Sequence, residues 1–259
     1  MIDKVEQTEK VVDLKPAAAG DTPTPRKGIY LLPNILTTGA LFGGFYAVLS
    51  GFSGQFEFAA LAIFAAMIFD GLDGRVASMT NTQSDFGVQY DSLSDMVSFG
   101  VAPAVVAYGW GVSDLGKLGL AAVFVYASCA ALRLARFNVQ AEMADKKTFT
   151  GLPSPVAAAL VAGFIWSTYQ IESSLGLSVT GAILTATAGL LMVSNFKYPS
   201  FKEVDLRGKV PFIVILSIVM GFVVITIDPP RILFALALTF SFSAPVIWLW
   251  KKLMVNKPS

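Results

Sequence analysis

The sequence predicts an all-α polytopic membrane protein of about eight transmembrane helices, with both termini in the cytoplasm. Three observations carry this reading. Of 259 residues, 54% are hydrophobic and only 14% charged, too little charge to coat a soluble domain. The apolar residues come in blocks long enough to cross a bilayer, which takes about 20 residues of helix. When the helices alternate from a cytoplasmic N-terminus, all of the 19 lysines and arginines except Lys117 and Arg231 fall inside, the bias expected of cytoplasmic loops. An odd number of helices spoils that bias.

Taken in order, residues 1–28 are polar, carry Pro16, Pro23 and Pro25, and lack an apolar core. They predict a largely disordered cytoplasmic tail, not a cleaved signal. Hydropathy then places helices at about 30–50, 56–76, 90–109, 117–137, 154–171, 177–194, 210–227 and 231–250. No solenoid-type repeat or low-complexity tract interrupts them. Tyr30, Trp110, Trp166, Tyr169, Trp248 and Trp250 fall near the predicted helix ends, where an aromatic belt belongs. The spacings Gly39–Gly43 and Gly181–Thr185–Gly189 mark close helix contacts, within the chain or across a homodimer seam.

The residue inventory limits the chemistry. A net charge of +1 offers no basic surplus for nucleic acid, and Cys129 is the single cysteine, which excludes an internal disulfide and a cysteine zinc cluster. Histidine is absent altogether, removing the commonest general base and transition-metal ligand. Acid–base and metal chemistry must run on carboxylates.

Those carboxylates are concentrated in Asp70-Gly-Leu-Asp73-Gly74-Arg75-Val-Ala77-Ser78 and Gly87-Val-Gln-Tyr-Asp91-Ser-Leu-Ser-Asp95. Asp70 and Asp73 are three apart and share a face at the cytoplasmic end of the second helix. Asp91 and Asp95 are four apart near the start of the third. The turn between them brings the two helix ends together, so four carboxylates are expected in one pocket at the inner membrane surface. Mutually repelling acids beside lipid are costly. A hard divalent cation, Mg2+ or Mn2+, is their natural counter-charge, and two ions suit a phosphoryl transfer by clamping attacking and leaving oxygens. Helix capping or pairing with Arg75 and Arg133 accounts for one or two aspartates, not four. The spacing is not that of an EF-hand calcium loop. Asp85 is expected to be a solvated loop residue. Gly74, Ala77 and Gly87 are small enough to let a bulky ligand approach the backbone.

The pattern Asp73-Gly74-x2-Ala77-Ser78-x8-Gly87-x3-Asp91-x3-Asp95, preceded by Asp70, resembles the signature of the CDP-alcohol phosphotransferases, Asp-Gly-x2-Ala-Arg-x8-Gly-x3-Asp-x3-Asp. Those enzymes move a phosphatidyl group from a CDP-linked lipid to an alcohol and release CMP. The resemblance implies metal binding by Asp70, Asp73 and Asp91, with Asp95 both a ligand and the base. It further implies a CDP-lipid site comprising Asn34, Thr37, Asp70, Asp73, Gly74, Arg75, Ala77, Ser78 and Gly87. Two positions depart from the pattern. Ser78 stands where the family has arginine, and Arg75, three residues earlier, is expected to substitute in part beside the diphosphate. Ala40 stands where the family has asparagine, a departure that bears on the nucleotide contacts of the first helix.

Four further segments, Ser98-Phe-Gly-Val-Ala-Pro103, Arg133-Leu-Ala-Arg136-Phe-Asn138, Phe149-Thr-Gly-Leu-Pro-Ser-Pro155 and Ser194-Asn-Phe-Lys197-Tyr-Pro-Ser-Phe-Lys202, are similar to those of the phosphatidylserine synthases built from membrane helices. The resemblance covers about 29–203, a six-helix core. It leaves 204–259 as two additional helices and a short basic cytoplasmic tail. It implies CDP-diacylglycerol and L-serine as substrates, CMP as product, and a prokaryotic cytoplasmic membrane with the site facing the cytoplasm. Arg133, Arg136 and Asn138 are then candidates to hold the serine carboxylate, since an arginine fork matches that group; the alternative is that the arginines face lipid phosphates. Two rival readings remain. Sister enzymes use glycerol phosphate or inositol phosphate as acceptor. A divalent-cation transporter would spread acids through several depths of a pore, whereas here the spans of the last four helices carry almost no ionisable residue.

Overall fold

A computed structural model describes residues 31–140, 148–199 and 212–255; the predicted N-terminal tail, residues 141–147, the whole of 200–211 with Ser200, Phe201 and Lys202, and the last four residues lie outside them. The described residues form α1 (Leu31–Phe52), α2 (Phe56–Thr80), α3 (Asp85–Asp95), a π-helical turn (Met96–Val101), α4 (Ala102–Trp110), a 3-10 turn (Val112–Leu115), α5 (Lys117–Gln140), β1 (Thr148–Thr150), α6 (Ser154–Thr168), α7 (Leu175–Val193), β2 (Lys197–Pro199), α8 (Phe212–Ile227) and α9 (Pro229–Val255). Counting α3, the π turn and α4 as one rod, the helical rods stand where the apolar blocks predicted them. The protein is an all-α membrane protein. Among the described residues, four segments, Leu31–Phe52, Lys117–Val139, Leu175–Val193 and Pro229–Met254, are long and apolar enough to cross a bilayer by length and composition.

Local chemistry sets the ends that matter for the site. Asn81 adopts a left-handed conformation with φ 51° and returns its N–H to the Ala77 carbonyl, a C-terminal stop that asparagine tolerates. Three residues later Ser84 accepts a hydrogen bond from the Gly87 amide at 3.1 Å, the N-cap that starts α3. Asp85 is therefore the first residue of a helix, not a loop residue. The carboxylate is favoured there by the helix dipole. Hydropathy reads only the apolar span and so places this helix start five residues late.

Small residues hold the first three rods together. Without a hydrophobic drive between helices in lipid, close van der Waals approach and interhelical hydrogen bonds carry association. Gly43 lies against α2, where an added Cβ would sit 3.0 Å from the Ala62 carbonyl oxygen, and Gly44 lies against the π turn, 2.5 Å from the Ser98 Cα on the same construction. Ser94 and Ser98 donate to the Thr37 and Ala40 carbonyls of α1 at 3.1 and 2.9 Å. Tyr126 of α5 donates to the Phe99 carbonyl within the π turn at 2.8 Å. Gly39 meets the Phe69 ring, Gly181 meets Trp110, and Gly189 meets the Tyr126 backbone. Both predicted small-residue spacings are thus filled by packing within the chain.

Two short strands, which the apolar pattern does not reveal, pair antiparallel with Phe149 opposite Tyr198. They join the connection before α6 to the one after α7. Helix α9 packs on α6 through Gly163, where an added Cβ would meet the Phe234 backbone at 3.0 Å. Helix α8 runs beside α9, and almost all of its described side chains are exposed.

Candidate active site

The C-terminal half of α2 and the last turns of α3 both pack on α1 and bring their aspartates together. Carboxylate oxygens of Asp70, Asp91 and Asp95 all lie within 4.8 Å of one another, and all three residues are partly buried. The i,i+4 spacing puts Asp91 and Asp95 on one face of α3. The same face carries Ser94 and Ser98, one turn on, whose bonds to α1 fix its rotation.

Asp73 is held apart from this group of three. It is 5% exposed and its Oδ2 accepts from Thr37 Oγ1 at 2.6 Å, while the same hydroxyl also lies 3.1 Å from the Pro33 carbonyl. One hydroxyl proton cannot serve both acceptors fully, so Thr37 is committed to the protein on this geometry. Asn34 lies one turn before Thr37, near Gly87: a Cβ on that glycine would be 3.8 Å from Asn34 Oδ1. Gly74 is exposed with open space where a side chain would be. Arg75 and Ser78, three apart on α2, are exposed, and Ala77 is half-buried.

Arg133 supplies the nearby cation. It is partly buried in α5, interacts electrostatically with Asp95 and Asp70, and donates from Nη1 to Ser154 Oγ at 2.7 Å. Its Nε is buried with no partner among the described residues. Arg136 Nη1 reaches the Val193 carbonyl at 3.4 Å, a weak contact at the limit of hydrogen-bond distance. Asn138 and Ser92 exchange contacts at 3.0 and 3.2 Å, which braces α3 next to Asp91. Of the three basic or amide candidates, Arg133 stands at the carboxylates, Asn138 supports the helix that carries them, and Arg136 points to α7.

Three acids crowd together in a partly desolvated site, with the Arg133 guanidinium beside Asp95 and Asp70. An all-oxygen donor set fits a hard divalent cation. The pair Thr38–Tyr90, whose hydroxyls are 2.9 Å apart, and the serines at 92, 94, 98 and 154 also build the site. Sequence reasoning passed over them, although Ser94 and Ser98 carry a signal, being two small hydroxyls one turn apart on the side of the rod that bears Asp91 and Asp95.

The family model for CDP-alcohol phosphatidyltransferases matches residues 30–194. The chain belongs to the CDP-alcohol phosphatidyltransferase family. The match takes in α1 to α7 and all four aspartates, and members of this family generally use divalent cations. Among curated relatives, the chain is 38% identical over 202 residues to a CDP-diacylglycerol–serine O-phosphatidyltransferase of Helicobacter pylori, covering 77% of this chain and 84% of that protein. It is 43% identical over 141 residues to a protein of the same name from Methanocaldococcus jannaschii, covering 54% and 62%. It is 33% identical over 172 residues to one from Bacillus subtilis, covering 66% and 92%. As a member of this family, the chain is an integral membrane protein with an aspartate cluster suited to a cation.

Proposed function

We propose that this chain is a phosphatidylserine synthase, transferring the phosphatidyl group of CDP-diacylglycerol to the hydroxyl of L-serine with release of CMP. The observation that carries the reading is the convergence of Asp70, Asp91 and Asp95 beside Arg133 in a chain whose relatives are named for that reaction.

In this reading Asp70, Asp91 and Asp95 hold the divalent cation, Mg2+ or Mn2+, with Asp73 completing the set for a second ion once Thr37 releases it. When bound, the cation offsets charge on the phosphoryl oxygens and the leaving group. The nucleotide and diphosphate lie along the open backbone at Gly74 and Gly87, with Asn34, Thr37, Arg75, Ala77 and Ser78 around them. Arg75 partly replaces the arginine missing at Ser78. Arg133 holds the serine carboxylate through its free N–H edge, supported by the Ser92–Asn138 brace and by Arg136. Asp95 accepts the serine hydroxyl proton as that oxygen bonds to the lipid-proximal phosphorus. The phosphorus–oxygen bond to CMP breaks, and CMP leaves with the bridging oxygen. The site faces the cytoplasm of a prokaryotic membrane, with both termini on that side. Residues 29–203 form the catalytic unit and 204–259 an appended helix pair.

The test is turnover by purified protein in detergent with Mg2+ or Mn2+, CDP-diacylglycerol and labelled serine, following CMP and lipid product. Phosphatidylserine is the expected product. Product formed only with glycerol phosphate or inositol phosphate would overturn serine as acceptor while keeping the transferase chemistry.

A further inference from the structure

Pro245 lies inside α9. Proline has no N–H, so the carbonyl four residues earlier, that of Ser241, loses its intrahelical donor. An orphaned carbonyl in an apolar interior must find another partner. Here the partner comes from outside the helix: Tyr198 Oη donates to the Ser241 carbonyl at 2.8 Å. Tyr198 is fully buried and stacks on Phe240 at 5.6 Å between centroids. A second contact follows one turn beyond the proline, Phe196 against Trp248 at 5.8 Å.

The strand that carries Tyr198 is tied in turn to the entrance of α6. Tyr198 pairs with Phe149 in the two-stranded ladder. Gly151 donates to the Phe196 carbonyl at 2.9 Å and Leu152 to the Leu191 carbonyl at 3.0 Å. Gly151 has φ +82°, and an added Cβ would strike the Met192 carbonyl, so this connection has little freedom. Three residues after Gly151 stands Ser154, 1% exposed, the hydroxyl that accepts from Arg133. A continuous set of contacts therefore runs from the proline break in α9, through Tyr198 and the strand pair, to the arginine beside Asp95 and Asp70.

We propose that Tyr198 is a positioning residue for acceptor recognition: anchored on the carbonyl that Pro245 leaves free, it fixes Ser154 and through it the Arg133 guanidinium. The acceptor part of this rests on the phosphatidylserine synthase reading above. Burial pushes the Tyr198 phenol up to about 12, so it remains a neutral donor at assay pH. The last helix, outside the segment matched by the family model, then contributes to specificity without touching substrate.

Tyr198→Phe removes only the hydroxyl and is tested in the full-length protein. With CDP-diacylglycerol and Mn2+ saturating, the serine KM should rise roughly three- to tenfold, a typical size for coupling between contacting groups. The kcat and the KM for CDP-diacylglycerol should stay within about twofold, whereas a purely structural defect would lower active enzyme and leave the serine KM alone. Hydrogen exchange at 151–157 should quicken. In Tyr198→Phe/Pro245→Ala the restored N–H again serves the Ser241 carbonyl, so the Tm should recover while the serine KM stays raised. An unchanged serine KM in Tyr198→Phe, or its full recovery in the double variant, would overturn the proposal. If wild-type protein does not use serine, the acceptor reading fails on its own; unchanged exchange at 151–157 would then overturn the coupling independently.

Discussion

The two ends of the bundle both carry acids, and they treat them differently. At the end lined by Phe56, Trp110 and Tyr169, Glu57 accepts from Tyr169 Oη at 2.7 Å, Asp114 lies 3.4 Å from Ser178 Oγ, and Asp228 pairs with Arg231 at 3.1 Å. Each of these acids has its own contact within the fold. At the other end Asp70, Asp91 and Asp95 crowd within 4.8 Å of one another, with the Arg133 guanidinium beside Asp95 and Asp70. Acids near a membrane are therefore no signal in themselves. Convergence of like charges is the signal, because their mutual repulsion in a partly desolvated site is a cost that a bound cation relieves.

The comparison breaks most severely on the crowded side. Asp95→Asn, isosteric and without a base, should lower kcat by at least about a hundredfold, the lower range for a lost general base, while cytidine nucleotide binding by calorimetry stays within a few-fold. Full turnover in that variant would remove Asp95 from proton transfer. Chelation with EDTA should abolish activity, with recovery on adding Mg2+ or Mn2+ but not on adding a monovalent salt. Arg133→Lys keeps the charge but loses the planar fork, so the serine kcat/KM should fall by about ten- to a hundredfold, read from initial rates at varied serine.

Smaller effects sharpen the same contrast. Ser78→Arg restores the family cation beside the diphosphate and should raise turnover a few-fold, on the order of one added charged contact; a loss of activity would mean that Arg75 has rebuilt this corner. Glu57→Gln, at the end where acids are individually partnered, should leave activity within about twofold and shift Tm by only a few degrees, as a single exposed or half-buried hydrogen bond allows.

Much of this architecture is legible in the amino-acid sequence. The apolar blocks locate the helical rods, and the i,i+4 spacing of Asp91 and Asp95 with the short turn after α2 brings three aspartates together, whereas the expected fourth, Asp73, stands apart. What remained hidden has physical reasons. Asp85 sits in a polar first turn that hydropathy cannot separate from loop, although Ser84 and the acid after it are a capping pattern. The separation of Asp73 depends on Thr37, 36 residues away, and no local period encodes a partner that distant. Residues 148–150 and 197–199 pair across two intervening helices, too briefly to leave an alternating pattern. The integration of α9 rests on Gly163 against Phe234 and on the carbonyl freed by Pro245, both of which are single residues in otherwise uniform apolar text.

The claim beneath all of these is that the crowded carboxylates form a cation site. Mn2+ titration of the purified protein, followed by electron paramagnetic resonance, reads this without any substrate. Wild-type protein should bind Mn2+ saturably, Asp91→Asn should weaken binding by at least about tenfold for one lost carboxylate ligand, and Glu57→Gln should bind like wild type. Equal Mn2+ affinity in wild type and Asp91→Asn would contradict the account.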